Sequence, residues 1–315
     1  IRIHANDTIR LENQSGITSE VLAGTIGDAQ QIRILTTNLN LSDQSQISAA
    51  TFGTGNAGSL VIRATEQVEA DNSTISTAIN RGGTATQPSS ITLNTRDLQL
   101  NNNAQITANT SGQGDAGNIN VRGTNTIALS NSNIATAVNR TGVGQGGQIT
   151  LEGRELEMSD RARITSSTAG EGDAGTINLR ISDTLTLSRS FIDSEVRATA
   201  TGEGGDINVE AGNFFVGDRS RISAQSLSNP DTTTDPQTNI LPGRAGNISI
   251  SVDDRFEMTN SDITTQALTA AGGAINIDAR DIRLFGDSDI TTFVQRGEGG
   301  GGDITLRGDT IVAFS

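Results

Sequence analysis

The stretch GDAGNINVRGTNTIALSNSNIATAV, from Gly114 to Val138, returns at Gly172 to Val196 as GDAGTINLRISDTLTLSRSFIDSEV. The apolar letters are kept and the others change. A shorter period lies inside this one. An apolar-x-apolar segment opens at Ile1, Ile32, Leu60, Ile91, Ile119, Ile149, Ile177, Ile207, Ile248, Ile275 and Ile304, evenly spaced except for one longer step between Ile207 and Ile248. Self-similarity at such a period is the mark of a repeat architecture.

Each unit reads as three short strands, because apolar residues alternate at period two and helical spacing is absent. In one unit these are Ile119-Asn120-Val121, Ile127-Ala128-Leu129 and a third strand beginning at Ile134. The offset from the first Ile to the third-strand Ile is constant in every full unit but the first, as from Ile32 to Ile47 and from Ile275 to Ile290. Marked variation in length is confined to the return to the next first strand. Two residues before the third-strand Ile stands Ser or Ala, as at Ser45, Ala104 and Ser190, and two residues after it Ser, Thr or Ala, as at Thr136 and Ser194. Both positions share the parity of the inward Ile, so the spacing predicts a tapered corner that excludes bulky side chains. Gly stands two residues before most first strands, as at Gly58, Gly117, Gly175 and Gly302, where a turn with φ above zero is expected. The gap from second to third strand alternates between a longer form (Leu39 to Ile47) and one shorter by a single position (Val68 to Ile75). Two adjacent units therefore form a super-repeat, and the two quoted stretches are the same coil one super-repeat apart.

A unit of this size with three short strands cannot bury its own apolar face. Stacked on copies of itself it can, through ladders and side-chain columns shared with its neighbours. The predicted fold is all-β: a right-handed parallel β-helix of about ten coils, each of roughly 30 residues and three strands, the hand following from the preference of parallel crossovers. With strands about 4.8 Å apart the rod is roughly 50 Å long. Residues 1–315 read as one β-helix segment of a longer chain, with 225–246 as an inserted Pro-containing loop. Composition agrees. Only 33% of residues are hydrophobic and 3% aromatic, so the core is narrow and aliphatic.

The units GNINVRGTNTIALSNSNIATA and GGQITLEGRELEMSDRARITSSTAGEGDAG resemble those of cyanobacterial exoproteins of the filamentous haemagglutinin type, the substrates of two-partner secretion. The resemblance spans essentially the whole chain. It implies a right-handed β-helix, export through an outer-membrane transporter partner, and a secreted or cell-surface location as adhesin, toxin stalk or filament. The N-terminal export domain of that family is not seen here, so export rests on the repeats alone.

Charge narrows the partners. The formal net charge is −14 and all 22 basic residues are Arg, which argues against nucleic acid. No apolar run is long enough to span a membrane, and without Cys there is no disulfide or thiolate site. No catalytic signature appears, and the chain reads as a non-enzyme. GQGDAG at Gly112–Gly117 and GEGGGGD at Gly297–Asp303 lack the Lys and the helix of a phosphate loop, and Asp115 and Asp173 do not build the tandem Gly-Asp array of a calcium nonapeptide. Plain turns are expected there, with calcium the lesser reading and no other cofactor.

Asp253-Asp254 and Asp287/Asp289 are the carboxylate pairs weighed for glycoside chemistry; solvated turns are expected instead. Asp43, Asp160 and Asp218 share a turn position suited to Asx side chains. His4 has no companion ligand. The outward third-strand positions, among them Thr18, Ser48, Thr107, Ala135, Asp193, Ser223 and Thr291, form a hydroxyl-rich face able to hold ice or glycan were it regular; Ala135 and Asp193 interrupt it, and a solvent face is expected. Asn120, Asn178, Asn208 and Asn276 on first strands are candidates for a side-chain ladder. The long unit that opens at Ile207 holds three of the four Pro residues, and long loops on rigid scaffolds are where binding concentrates. Asn229, Asp231, Asp235, Asn239 and Arg244 are therefore the candidate partner-binding residues.

The expected function is a structural or adhesive rod, attaching to an unnamed surface receptor or glycan and self-associating end to end or laterally through open strand edges. The alternative is a polysaccharide-acting β-helix lyase or hydrolase. A cleft of clustered carboxylates and Arg on one sheet would favour the enzyme, and evenly spread polar faces the rod.

Overall fold

A computed structural model describes residues 1–198, 200–227, 243–296 and 299–314. The chain is a β-solenoid of about ten turns, about 29 residues per turn, without a helix among the described residues. Every strand pairing among them is parallel, and the strands form one 14-stranded and one 10-stranded sheet. Numbering coils from Ile1, the first-strand residues stack as Ile32, Leu60, Ile91, Ile119, Ile149, Ile177, Ile207, Ile248, Ile275 and Ile304. The third-strand isoleucines stack likewise from Ile17 and Ile47 through Ile192 to Ile290. These columns, with the second-strand column, make one continuous apolar core whose large members are fully buried in the inner coils; in the end coils Ile17 and Ile290 are partly buried and Ile304 is exposed. The register runs unbroken through the long unit, where Ile207 pairs with Ile248 and Ile222 with Ile263.

The first two strands expected in each unit join in most coils into one bent strand, as in Ile32–Leu41, Asn118–Ser130 and Ile177–Ser188. They stay separate in the end coils, as Arg2–His4 and Thr8–Leu11 and as Ile304–Arg307 and Thr310–Phe314, and in coil 4, as Ser90–Thr95 and Asp97–Asn101. Register slips at the bend, for example between Gly123 and Thr126 and between Ile181 and Thr184, and such a bulge turns the strand while keeping both arms in the ladder. Thr95 braces one bend, its hydroxyl donating to the Glu66 carbonyl at 3.2 Å and the Asp97 carbonyl at 3.1 Å. The return segment adds a third, one-residue-wide ladder through Ile26, Thr54, Thr84, Gln113, Val143, Glu171 and Thr201.

The alternation between longer and shorter gaps has a conformational cause. The longer gaps turn through two successive left-handed residues, as at Asp43/Gln44 (φ 56 and 63) and Asp160/Arg161 (φ 54 and 70), and the shorter gaps through one, as at Asn72 (φ 45) and Asn131 (φ 47). Asn and Asp tolerate that region best among non-glycine residues, which explains the shared position of Asp43, Asp160 and Asp218. A β-branched residue there is strongly disfavoured. Asn131→Val is expected to cost about 1–2 kcal/mol and Asn131→Gly almost nothing, read as the difference in urea midpoint between the two variants.

The glycines before the first strands are corrected. Gly117, Gly147, Gly175 and Gly205 are not among the positive-φ residues; the left-handed glycine lies three residues earlier, as at Gly172 (φ 129). What excludes a side chain is close approach of successive coils: a Cβ on Gly175 would stand 2.1 Å from the Gly147 carbonyl oxygen. The small inward residue after the third-strand Ile completes this corner. Thr136 donates to the Gly147 carbonyl at 2.7 Å, and Ser166 accepts from the Gly175 N–H at 2.9 Å. The hydroxyl both fits the taper and satisfies buried backbone.

Candidate functional site

The candidates from sequence fall mostly into structural roles. Asp115 and Asp173 each use Oδ1 to accept the backbone N–H of the next coil, from Gln145 and Glu203, both at 2.8 Å. This side-chain ladder ties the return turns together. Among the described residues no group of three or more His, Cys, Asp or Glu side chains is placed to hold a metal ion. Asn208 donates to Asn178 at 3.0 Å; Asn120 and Asn276 lie opposite Thr150 and Ser249 instead. His4 is exposed at the end of Arg2–His4. Asp254 is ion-paired with Arg280. Asn229, Asp231, Asp235 and Asn239 lie outside the described residues. Arg244 is exposed, its carbonyl accepting from the Gly204 N–H at 2.8 Å.

The outward third-strand column is an open solvent face only at its ends, where Thr18 and Thr291 are exposed, and Ser76, Thr165 and Thr264 are half-buried. Ser48, Thr107, Ala135, Asp193 and Ser223 are all buried. Each is short, closed above and below by its counterparts on adjacent strands about 4.8 Å away.

Along the turn edge of coils 6 to 10 this face opens into a groove of about 1070 Å³, lined by Arg161, Arg189, Phe191, Asp218, Arg219, Asn260, Asp262 and Asp287. The local sequences are DRARI, SRSFI and DRSRI, ending at Ile164, Ile192 and Ile222. Left-handed backbone at Arg161, Arg189 and Arg219 turns these side chains outward (φ 70, 51 and 65). Two residues on, Arg163, Phe191 and Arg221 are register partners on adjacent strands. The Phe191 ring lies under both guanidiniums, with Arg163 Cζ at 4.5 Å and Arg221 Cζ at 5.6 Å from its centroid. Cations over an aromatic face are attracted by its quadrupole.

Asp193 lies beneath them with only 3% of its side chain exposed. Its Oδ1 accepts from Arg221 Nε at 3.3 Å and Nη2 at 3.1 Å, and its Oδ2 is 3.8 Å from Arg163 Nη1. Burial pushes the Asp193 carboxyl above its usual value, and Arg221, Arg163 and Arg197 only partly oppose it. The folded chain therefore holds this proton more tightly than the unfolded chain. Stability contributed here is present below the ordinary carboxylate value of 3.8 and is lost as pH rises through the higher folded value. Asp193→Asn is expected to remove that loss. Melting curves of parent and variant from the ordinary carboxylate value up to neutral pH should converge at the acid end, with the variant the more stable at the neutral end; an unchanged difference across the range would refute the assignment.

Elsewhere, carboxylates are held down. Burial raises Asp97, but hydrogen bonds from Arg96, Asn125 and the Thr126 N–H outweigh it and keep Asp97 below its usual value. The Arg283 hydrogen bond, aided by Arg255, lowers Asp281. Both carboxylates sit on the first-sheet side. The groove differs in that its guanidiniums and carboxylates, Arg161, Arg189 and Arg219 with Asp218, Asp262 and Asp287, are equal in number but not paired with one another. Arg189 is paired with Asp160, but Arg161 and Arg219 have no carboxylate partner among the described residues. Sequence reading missed these arginines, although their shared offset from the third-strand Ile in three consecutive units was the available signal. The chain matches no family model, no curated protein and no solved structure.

Proposed function

We propose that this chain is a stiff extracellular rod, part of a secreted or surface-displayed protein, whose task is to hold binding surfaces at fixed spacing. The observation that carries this reading is the register: the same residue columns align coil on coil from Ile3 to Ile304 without a slip outside the bends. A stack of this kind resists bending because each coil is tied to both neighbours by backbone ladders and by side-chain bridges such as Asp173 to Glu203. Export through an outer-membrane transporter and attachment to a surface receptor or glycan belong to the same proposal, supported by the likeness of the repeats to haemagglutinin-type exoproteins.

A second reading has one observation in its favour. Asp218, Asp262 and Asp287 share the groove with Arg161, Arg189 and Arg219, the combination of carboxylates and guanidiniums that a polysaccharide-cleaving β-helix would use. Incubating the chain with neutral and acidic polysaccharides separates the two. Unchanged polymer length, with retention of polymer or cells on chain-coated beads, supports the rod; turnover abolished by Asp218→Asn or Asp262→Asn overturns it.

A further inference from the structure

In a chain of net charge −14, five arginines are gathered on three successive coils. Arg161 and Arg163 stand on coil 6, Arg189 on coil 7, and Arg219 and Arg221 on coil 8. Adjacent turns are locked together by backbone, the Arg161 N–H donating to the Arg189 carbonyl at 2.8 Å. Asp193 and Phe191 hold Arg163 and Arg221 from below, and Asp160 holds Arg189. Two guanidiniums, Arg161 and Arg219, are left to face the groove with Arg189 between them.

We infer that this groove binds an acidic polysaccharide carrying one carboxylate per sugar, laid along the rod axis. Three observations converge on it. The arginines repeat once per coil, at about 4.8 Å per step, close to the advance of one pyranose in an extended chain. The guanidinium fork matches a carboxylate with two parallel hydrogen bonds, and the middle fork of the row, Arg189, is already held by Asp160. Asp218, Asp262 and Asp287 on the same walls offer acceptors to sugar hydroxyls. Nucleic acid fits less well, because base stacking needs a free aromatic face and Phe191 already lies against two guanidiniums. The inference deepens the rod reading by naming what its surface holds.

The test is titration of the whole chain with polygalacturonate oligomers, their fully methyl-esterified form, a sulfated galactan of equal charge density and a single-stranded oligonucleotide. The variant is Arg161→Gln with Arg219→Gln. Gln already stands at this turn position, at Gln14 (φ 62) and Gln44 (φ 63), so the backbone is retained, and an unchanged melting temperature verifies it. Arg63→Gln, on a distant first-strand face, is the control. The expected result is salt-dependent binding of the acid oligomers, weakened at least tenfold by esterification and by the double variant, and unaffected by the control. Equal affinity of parent and double variant, equal binding of the esterified form, or preference for the sulfated polymer or the oligonucleotide overturns the proposal. Oligomer length after incubation keeps the two readings apart: cleavage with retained arginine dependence sinks the rod and leaves the site, whereas loss of arginine dependence without cleavage does the reverse.

Discussion

Gly175→Ala is expected to destabilise the solenoid by about 3 kcal/mol or more, at or beyond the upper end of ordinary overpacking costs. The added Cβ would lie 2.1 Å from the Gly147 carbonyl oxygen and 2.7 Å from the carbonyl oxygen of Gly146. Both are backbone atoms of the neighbouring coil, so no side-chain rotation relieves the contact. Relief requires coils 5 and 6 to separate, which strains the bond that Ser166 donates to the Gly147 carbonyl at 3.1 Å. The same geometry recurs at Gly147 and Gly205, where the clash distances are 2.0 and 2.2 Å, so coil 6 has no slack on either side. Gly217→Ala is the matched control. Its new methyl would meet nothing nearer than the Leu187 carbonyl oxygen at 3.9 Å, and a change within about 0.5 kcal/mol is expected. Urea unfolding of the two variants and the parent decides it. A Gly175→Ala midpoint equal to that of Gly217→Ala would show that the coils are not held this close.

The second large effect is expected at Phe256→Ala, about 3–5 kcal/mol. The second-strand column runs Leu156, Leu185, Phe214, Phe256 and Ile282. Phe214 and Phe256 are fully buried, with ring centroids 5.6 Å apart at an interplanar angle of 70°. That edge-to-face arrangement adds to the burial of two large rings. Truncation leaves a void that the ladders above and below keep from collapsing. Phe256→Leu should cost far less, since Leu fills this position in coils 6 and 7. The double change Phe214→Leu with Phe256→Leu should cost less than the sum of its parts, because the first substitution already removes the ring contact. Additive costs in a denaturation cycle would mean that the rings act independently and that the pairing contributes nothing.

What could be read in advance follows from where the repeat is strict. The columns of Ile177 and Ile192 were legible because an inward position on a stacked strand meets its own copies, and identity at a constant offset reports that contact directly. The turn at Asp160 was legible for a related reason, since Asx residues mark the left-handed backbone. The glycine before each first strand was misread. A glycine required for φ above zero and one required for close approach look alike in a string of letters, and only the distance from Gly175 to Gly147 separates them. The merging of the first two strands was also hidden, because the alternation of apolar residues breaks at a bend just as it does at a loop.

The groove lay beyond the reading for a different reason. Arg161, Arg189 and Arg219 are a full coil apart along the chain, and in an acidic sequence each passes for a solvated turn residue. Folding sets them side by side on successive coils and buries Asp193 beneath the arginines that flank Phe191. The amino-acid sequence by itself therefore determined the solenoid, its coil length and its core, because those depend on self-contact between like positions. The tertiary structure alone decided which unlike side chains meet on the surface, because that depends on how each turn directs its residues across the gap between coils.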